Sequence, residues 1–234
     1  MKLPYLGLHN PILSHFTNHF SGKGHGRQTS TRPATLPVTT SRFHFHRAAP
    51  HHLKGGQWQL QPLRQANAAL TYEATLTYST ALILQSRDTH LAEPYTWQDH
   101  LQQLEVVEQE HQTYKSFSFI LLNKAASKCL GMVRIMPLRP FLYYNNAPTH
   151  LIIRAGDNAA MITYWLAPCP DDTTFACEFI QTLQRWFSRD WEFVDFYFRI
   201  NPSDSHCLAT LADTGLAAHF SLKVPPDNYV FYSN

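Results

Sequence analysis

Apolar and polar positions follow a clear period only from about residue 55 onward. Four stretches repeat apolar residues every three to four positions, the spacing that places them on one face of an α-helix. They predict helices over residues 67–84, 96–114, 173–189 and 203–213. Thr96, with Asp99 three positions later, matches a helix N-cap, and Gly215 follows the last helix as a C-terminal glycine.

Continuous apolar runs and strictly alternating runs between these helices predict β-strands. The predicted strands cover residues 57–63, 116–122, 129–136, 159–166, 193–200, 219–224 and 229–232, with a further short strand at 151–154. The intervening residues 137–150 are rich in Pro, Asn and Tyr, and we predict that they form a loop.

The order of these elements predicts an α/β fold with one mixed sheet and helices on both of its faces. Residues 116–136 form an antiparallel hairpin in this scheme, because two apolar runs flank a polar turn. The strand, helix and strand between residues 159 and 200 form the one parallel unit. Because such crossovers are right-handed, we expect its two strands to be neighbours.

Charge divides the chain close to the point where the periodic pattern begins. The formal net charge of the 234 residues is +2, yet the first acidic residue is Glu73. Residues 1–54 are also rich in Pro and hold 8 of the 14 histidines. Such a segment buries too little apolar surface to offset its ordering entropy. We therefore predict a basic, largely disordered leader over residues 1–54 and a folded domain over residues 55–234.

Three functional interpretations of the leader compete with a plain unstructured tail. Its basic, acid-poor composition is typical of an organelle transit peptide, but prolines interrupt the only candidate helix. Its diffuse charge favours a nucleic-acid partner only weakly, since no run of adjacent basic residues occurs. Its histidines at 44, 46, 51 and 52 lack the fixed spacing of a structural metal site, so no metal is expected.

The lengths of the apolar runs and the spacing of the cysteines indicate what kind of protein this is. No stretch reaches the run of about 18 apolar residues that a membrane-spanning helix requires, so no membrane partner is expected. The four cysteines are Cys129, Cys169, Cys177 and Cys207, and none forms a Cys-x-x-Cys pair. Without a secretory signal, this favours reduced thiols in a cytoplasmic protein.

Two segments carry a resemblance to a known family. The segment from Ile162 to Pro168 reads ITYWLAP, and Asn201-Pro202 is followed by a short helix ending LADTGL at Leu216. In this order they resemble the GNAT superfamily of acetyl-coenzyme A dependent N-acyltransferases, nearest to ribosomal-protein alanine acetyltransferases. The likeness covers roughly residues 55–232. It implies a GNAT-like fold with a mostly antiparallel sheet of about seven strands, and acetyl-CoA as the co-substrate.

The resemblance also implies which residues would form the site. A cofactor-binding set would comprise Trp165, Leu166, Asp172, Thr173, Thr174, Phe175, Ala176 and Asn201. Backbone amides near Leu166 would polarise the thioester carbonyl. Asp157 is the first candidate for the general base, with Glu105 and Glu108 as alternatives. The family's proton-donating tyrosine has no counterpart between Asn201 and Leu216.

The turn before the long helix departs from the family pattern. The family places glycines there, whereas this chain has Asp172 and Thr174, preceded by Asp171. Asp and Thr are ordinary helix caps, and two carboxylates would repel a pyrophosphate. Two functions therefore stay open: an N-acetyltransferase acting on a primary amine of unknown identity, or a degenerate member that serves as a binding or regulatory module. The oligomeric state is not predicted.

Overall fold

The computed structural model describes residues 42–86, 96–167, 172–225 and 227–234. Its strands are β1 (Leu53–Lys54), β2 (Trp58–Pro62), β3 (Phe117–Asn123), β4 (Cys129–Pro137), β5 (Ala160–Leu166), β6 (Phe196–Ile200), β7 (Ala217–Val224) and β8 (Asp227–Ser233). Its helices are α1 (Ala68–Ser86), α2 (Trp97–Gln112), α3 (Leu138–Tyr144), α4 (Thr149–Arg154), α5 (Asp172–Asp190) and α6 (Ser205–Ala212), with a 3₁₀ turn at Gln65–Asn67.

The strands form one mixed sheet in the order β1-β2-β3-β4-β5-β6-β8-β7. Every neighbouring pair is antiparallel except β5 and β6, which lie side by side in parallel. This confirms the predicted hairpin, the predicted parallel neighbours and the mostly antiparallel sheet. The sheet has eight strands because the two-residue β1 adds to the seven that the pattern predicts.

Helices cover both faces of the sheet, as predicted. On one face, which we call the α5 face, Val133 of β4 and Ile162 of β5 pack against α5 residues such as Phe179 and Leu183. On the opposite face, which we call the α1 face, α1 and α2 cover one apolar cluster and α3 and α4 cover a second. Alternation along each strand decides which residue faces which layer.

The start of α2 is fixed by the N-cap that the sequence predicts. The Thr96 hydroxyl accepts a hydrogen bond from the Asp99 backbone N–H at 3.2 Å. The Asp99 carboxylate accepts one in return from the Thr96 N–H at 3.1 Å. Both groups would otherwise lack a partner at the helix end, so this reciprocal pair stabilises the first turn.

Residues 137–154 differ from the prediction. They form the helices α3 and α4 instead of a loop and a short strand. Pro137 and Pro148 stand directly before these helices, where the fixed φ of proline suits a helix entry. In α3, Leu138, Phe141 and Leu142 repeat at helical spacing and are buried. The prolines and the exposed Tyr144 of this segment conceal that short period.

Residues 42–54, predicted to belong to the leader, pack onto the folded domain. Phe43 is only 2% exposed and lies in the main core. Its backbone N–H donates to the Tyr114 carbonyl at 2.8 Å, and the Asn158 side chain holds the backbone of His44. The folded unit therefore includes residue 42 onward, not residue 55 onward. The remainder of the predicted leader lies outside the described residues.

Two observations on the described part of the chain concern membrane spanning and metal binding. No helix there combines the length and the apolar character that crossing a membrane requires. No group of three or more His, Cys, Asp or Glu side chains is arranged there so that it could hold a metal ion.

Phe43→Ala tests whether this N-terminal segment is part of the core. Phe43 contacts Phe117 with ring centroids 5.5 Å apart and Phe193 at 5.4 Å. Removing a buried aromatic ring leaves a cavity, so we expect the free energy of unfolding to fall by about 3–5 kcal/mol. Denaturant unfolding measures this. The exposed neighbour Arg42→Ala is the matched control, and equal midpoints for both variants would contradict the assignment.

Candidate functional site

β5 and β6 separate part of the way along their length. They pair in register at Ala160–Phe196, Met161–Tyr197 and Ile162–Phe198, and the pairing ends there. β5 continues to Leu166 along its other neighbour β4, while β6 continues to Ile200 along β8. A gap therefore opens within the sheet beyond Ile162.

The backbone of Leu166 faces this gap. The Ala167 N–H donates to the Leu130 carbonyl at 2.8 Å, which places the polar groups of Ala167 on the β4 side. Backbone groups alternate in direction along a strand, so the N–H of Leu166 points away from β4. Among the described residues, no strand lies opposite Leu166 on that side. This amide is placed to donate to a carbonyl oxygen that enters the gap.

Gly131 of β4 allows the backbone of β4 to lie close to the last residues of β5. A Cβ atom at Gly131 would stand 2.2 Å from the Trp165 carbonyl oxygen and 3.1 Å from the Leu166 Cα. The backbone angle φ of Gly131 is 156°, a value that residues with a Cβ atom rarely adopt. A glycine is therefore required for β4 to approach the last residues of β5.

A cleft lies on the α5 face beside this strand end. Its lining residues come from β5, α5 and the short helix α6, and they are Tyr164, Trp165, Leu166, Ala176, Asp204, Cys207 and Thr210. The Trp165 ring packs in the cluster on the α1 face, 5.5 Å from the Tyr78 ring. Trp165 therefore contributes its backbone to the cleft and its side chain to the core.

Tyr164 places a phenol beside α6. Its oxygen is buried and lies beside the Cys207 thiol. Burial, followed by the nearby Cys207 thiol and the Asp204 carboxylate, raises the pKa of Tyr164 well above its ordinary value of 10. The phenol therefore stays protonated through the physiological range of pH, so its O–H is held in the cleft as a donor.

The first turn of α5 borders the same cleft. Ala176 is 1% exposed against β5, Thr174 is exposed, and Phe175 stacks on Phe179 with centroids 6.3 Å apart. The first backbone N–H groups of a helix have no acceptor within the helix, and the helix dipole adds positive potential there. This turn can therefore bind an anion through its backbone. The side chains of Asp172 and Thr173, and all of Asp171, lie outside what the structure describes.

Asn201 lies at the end of β6 but does not line the cleft. Its side-chain oxygen accepts a hydrogen bond from the Ser203 N–H at 3.0 Å. Its amide nitrogen donates to the Asp227 carboxylate at 3.4 Å. Asn201 thus orders the turn that leads from β6 into α6, and α6 in turn supplies cleft residues.

The candidate bases from the sequence lie elsewhere. Asp157 precedes β5 at the end opposite the cleft, where its 62% exposed carboxylate pairs with Arg139. Glu105 is exposed on α2, and the Glu108 carboxylate accepts a hydrogen bond from the Gln65 N–H at 3.2 Å. The structure does not bring any of the three into the cleft.

The structure therefore joins Trp165, Leu166 and Ala176 of the predicted set, with Thr174 and Phe175 on the adjoining turn. The sequence prediction missed Tyr164 as a cleft residue, along with Asp204, Cys207 and Thr210 of α6. The available signal was the alternation of Ile162, Tyr164 and Leu166, which places all three on one face. It does not reveal that the helix packed opposite Tyr164 is α6.

Solved structures share this fold although their sequences differ. Ribosomal-protein-S5-alanine acetyltransferase from Vibrio fischeri is 13% identical, with a TM-score of 0.57, and the match covers 78% of this chain and 95% of that one. RimL, a ribosomal L7/L12 alpha-N-protein acetyltransferase in complex with coenzyme A, is 11% identical, with a TM-score of 0.58 and coverage of 76% and 93%.

A third solved structure is the microcin C7 self immunity acetyltransferase MccE in complex with acetyl-CoA and AMP. It is 14% identical, with a TM-score of 0.56 and coverage of 76% of this chain and 92% of that one. No family model and no curated protein matches the sequence. The fold is thus that of the GNAT acetyltransferases, as the sequence resemblance implied.

Gly131→Ala tests the close approach of β4 to β5. The added methyl group overlaps the Trp165 carbonyl, so the strands must shift, and we expect a loss of about 1–3 kcal/mol in the free energy of unfolding. Gly56→Ala is the matched control, because a Cβ there meets nothing within 4 Å. Thermal or denaturant unfolding of both variants measures the difference. Equal stability of the two would show that the approach is not restrictive.

Proposed function

We propose that this protein is an N-acyltransferase that transfers an acetyl group from acetyl-CoA to a primary amine. The observation that carries the proposal is the gap between β5 and β6, with the Leu166 amide facing it and the first turn of α5 beside it. These features provide a donor for a carbonyl and a backbone site for a phosphate in one cleft. The acetyltransferases of the same fold support the reaction class.

The residues along the cleft fit an extended coenzyme A. The backbone amides of Thr174 and Phe175 would bind its pyrophosphate, and the small Ala176 leaves room for the adjoining arm. The peptide groups of Trp165 and Leu166 would hold that arm along the edge of β5. When bound, acetyl-CoA supplies an activated thioester. The protein then needs to orient it, polarise its carbonyl, accept a proton from the amine and give a proton to the leaving thiolate.

Leu166 and Tyr164 have distinct roles in this proposal. The Leu166 N–H stabilises negative charge on the thioester oxygen without involving a side chain. The buried Tyr164 phenol holds a proton beside α6 and donates it to the leaving thiolate. Tyr164 thereby takes the role that the family assigns to a tyrosine from the short helix, from the opposite wall of the same cleft.

One observation favours a second function, a binding or regulatory module without catalysis. The start of α5 carries Asp172 and Thr174, directly after Asp171, where the family has glycines and a basic or polar residue. These acidic residues oppose a pyrophosphate electrostatically. Amine-dependent release of a free thiol from acetyl-CoA would exclude this alternative.

The proposed reaction also bears on where the protein works and on which amines it can acetylate. We propose a cytoplasmic location, because the described cysteines Cys129, Cys177 and Cys207 are free thiols, as a reducing compartment favours. The primary amine that accepts the acetyl group belongs to a small molecule, a peptide or a protein.

Binding of acetyl-CoA is the direct test of the proposal. Calorimetry should show binding at micromolar to millimolar ligand, and Thr174→Pro should weaken it roughly tenfold, because one charge-assisted N–H donor is lost. Proline is tolerated in the first helical turn, so the fold should persist. Thr174→Ala, which keeps the N–H, is the control. Absence of heat at millimolar acetyl-CoA would refute the proposal.

Tyr164→Phe separates the proton donor from the binding site. We expect kcat to fall by about 10²-fold, the usual lower range for losing a general acid, with acetyl-CoA affinity unchanged. Stability should change little, because the substitution keeps the aromatic ring and removes a hydroxyl whose neighbour, the Cys207 thiol, is only a weak hydrogen-bonding group. Tyr114→Phe, in the distant aromatic cluster, is the control. Full activity in Tyr164→Phe would rule out this role.

A further inference from the structure

A row of polar side chains crosses the sheet on the α1 face, opposite the cleft. Strand register aligns Ser118 with Arg134 and Arg134 with Thr163. Arg199 continues the row on β6, one residue beyond the last β5–β6 pair, Ile162–Phe198. The four residues are 3–5% exposed. They separate the two apolar clusters of this face, since Met132 and Trp165 lie in one and Met136 and Met161 lie in the other.

Several donors in this row have no partner among the described residues. They are Nε and Nη1 of Arg134, Oγ1 of Thr163 and Nη1 of Arg199. Buried polar groups are almost always hydrogen-bonded, and an unsatisfied one costs about 1–3 kcal/mol. Three neighbouring residues that share this defect on one face therefore indicate that an acceptor group belongs between them.

The two arginines are unequally compensated. The Glu110 carboxylate accepts from Arg134 Nη2 at 2.6 Å and from the Ser116 hydroxyl at 2.7 Å. Arg199 has no carboxylate within 4 Å in the described part of the chain, and its guanidinium lies 4.5 Å from the Tyr229 ring centroid. Asp227 attracts it from farther away but is engaged by the hydroxyl of Tyr229, 2.8 Å from the carboxylate.

The position of the row connects it to the proposed reaction. Thr163 and Arg199 flank the point where β5 and β6 separate, and Leu166 faces the same gap from β5. Their side chains point to the α1 face, whereas the cleft lies on the α5 face. An acceptor that approaches from the α1 face would therefore meet the row before its amine reaches the gap.

We propose that Arg134, Thr163 and Arg199 form a binding site for a carboxylate of the acceptor, so that the substrate class is amines that also carry a carboxylate, such as amino acids or acidic peptides. This rests on the proposed acyltransferase function. A carboxylate offers two acceptor oxygens with about four lone-pair sites, which matches the unpartnered donors in number and charge. The acceptor's amine would then be directed into the gap while its acid group stays on the row.

The test compares matched acceptors in the full-length protein. Thiol release from acetyl-CoA is measured with free amino acids and short acidic peptides, each against its carboxamide. We expect kcat/KM to be at least about tenfold higher for the free carboxylates. Amides of amino acids are the more easily deprotonated amines, so this preference cannot arise from amine basicity.

Two variants assign the preference to the row. Arg199→Gln should lower the ratio of kcat/KM for acid over amide to about one, and Arg199→Lys should retain part of the preference. Thr163→Val removes only an unpartnered hydroxyl, so it should fold normally and lower the carboxylate rate several-fold. Arg185→Gln on the exposed side of α5 is the charge-matched control. Equal rates for acid and amide in the unmodified protein would overturn the proposal.

Calorimetry with the same acid and amide pairs, without acetyl-CoA, separates this inference from the proposed function. Binding of carboxylates but not carboxamides, with no thiol release, would keep the anion site and overturn the acyl transfer. Thiol release with no preference for carboxylates would support the acyl transfer and overturn the anion site. Loss of carboxylate and carboxamide turnover alike in Thr163→Val would mean that the row is only structural, and this too would overturn the inference.

Discussion

The short pairing between β5 and β6 is the constraint on which the rest of the structure depends. Three residue pairs hold the two strands in parallel, after which β5 follows β4 and β6 follows β8. The sheet therefore has a gap in its middle without losing continuity at either side. That gap exposes the Leu166 amide, connects the cleft with the opposite face of the sheet, and has Thr163 and Arg199 at its edge. If the pairing extended further, the Leu166 N–H would hydrogen-bond to the neighbouring strand and would not be free to bind a ligand.

Charge and apolar packing are distributed unequally around this gap. The α5 face is largely aromatic and aliphatic, with Phe179, Phe187 and Phe198 fully buried. The α1 face keeps two buried guanidinium groups between its apolar clusters, and burial lowers the pKa of both. Taking such ions out of water costs several kcal/mol each, so apolar residues at these positions would give a more stable sheet. The retained charges are more readily understood as binding groups than as sources of stability.

The sequence was informative about elements that are long and strongly periodic, and about the order in which they pair. It predicted the parallel unit. The family resemblance proposed Trp165, Leu166 and Ala176 as site residues, and the structure places these three together along one cleft. The sequence could not place Tyr164 or Arg199, because alternation shows which face a residue occupies but not which distant element packs there. It also misplaced residues 42–54, since charge and proline content obscured the aromatic residues that anchor them. The helices α3 and α4 were missed because they have only seven and six residues, and the neighbouring prolines conceal their short apolar period.

The exposed backbone of Leu166 has a consequence for how such a protein diverges over time. A peptide N–H is supplied by every residue except proline, so mutation can replace the side chain without removing the donor. What must persist is geometry: a small residue at Gly131 and strands that separate after Ile162. A requirement of this kind restricts few side chains, and the solved structures that share this architecture are only 11–14% identical to this chain.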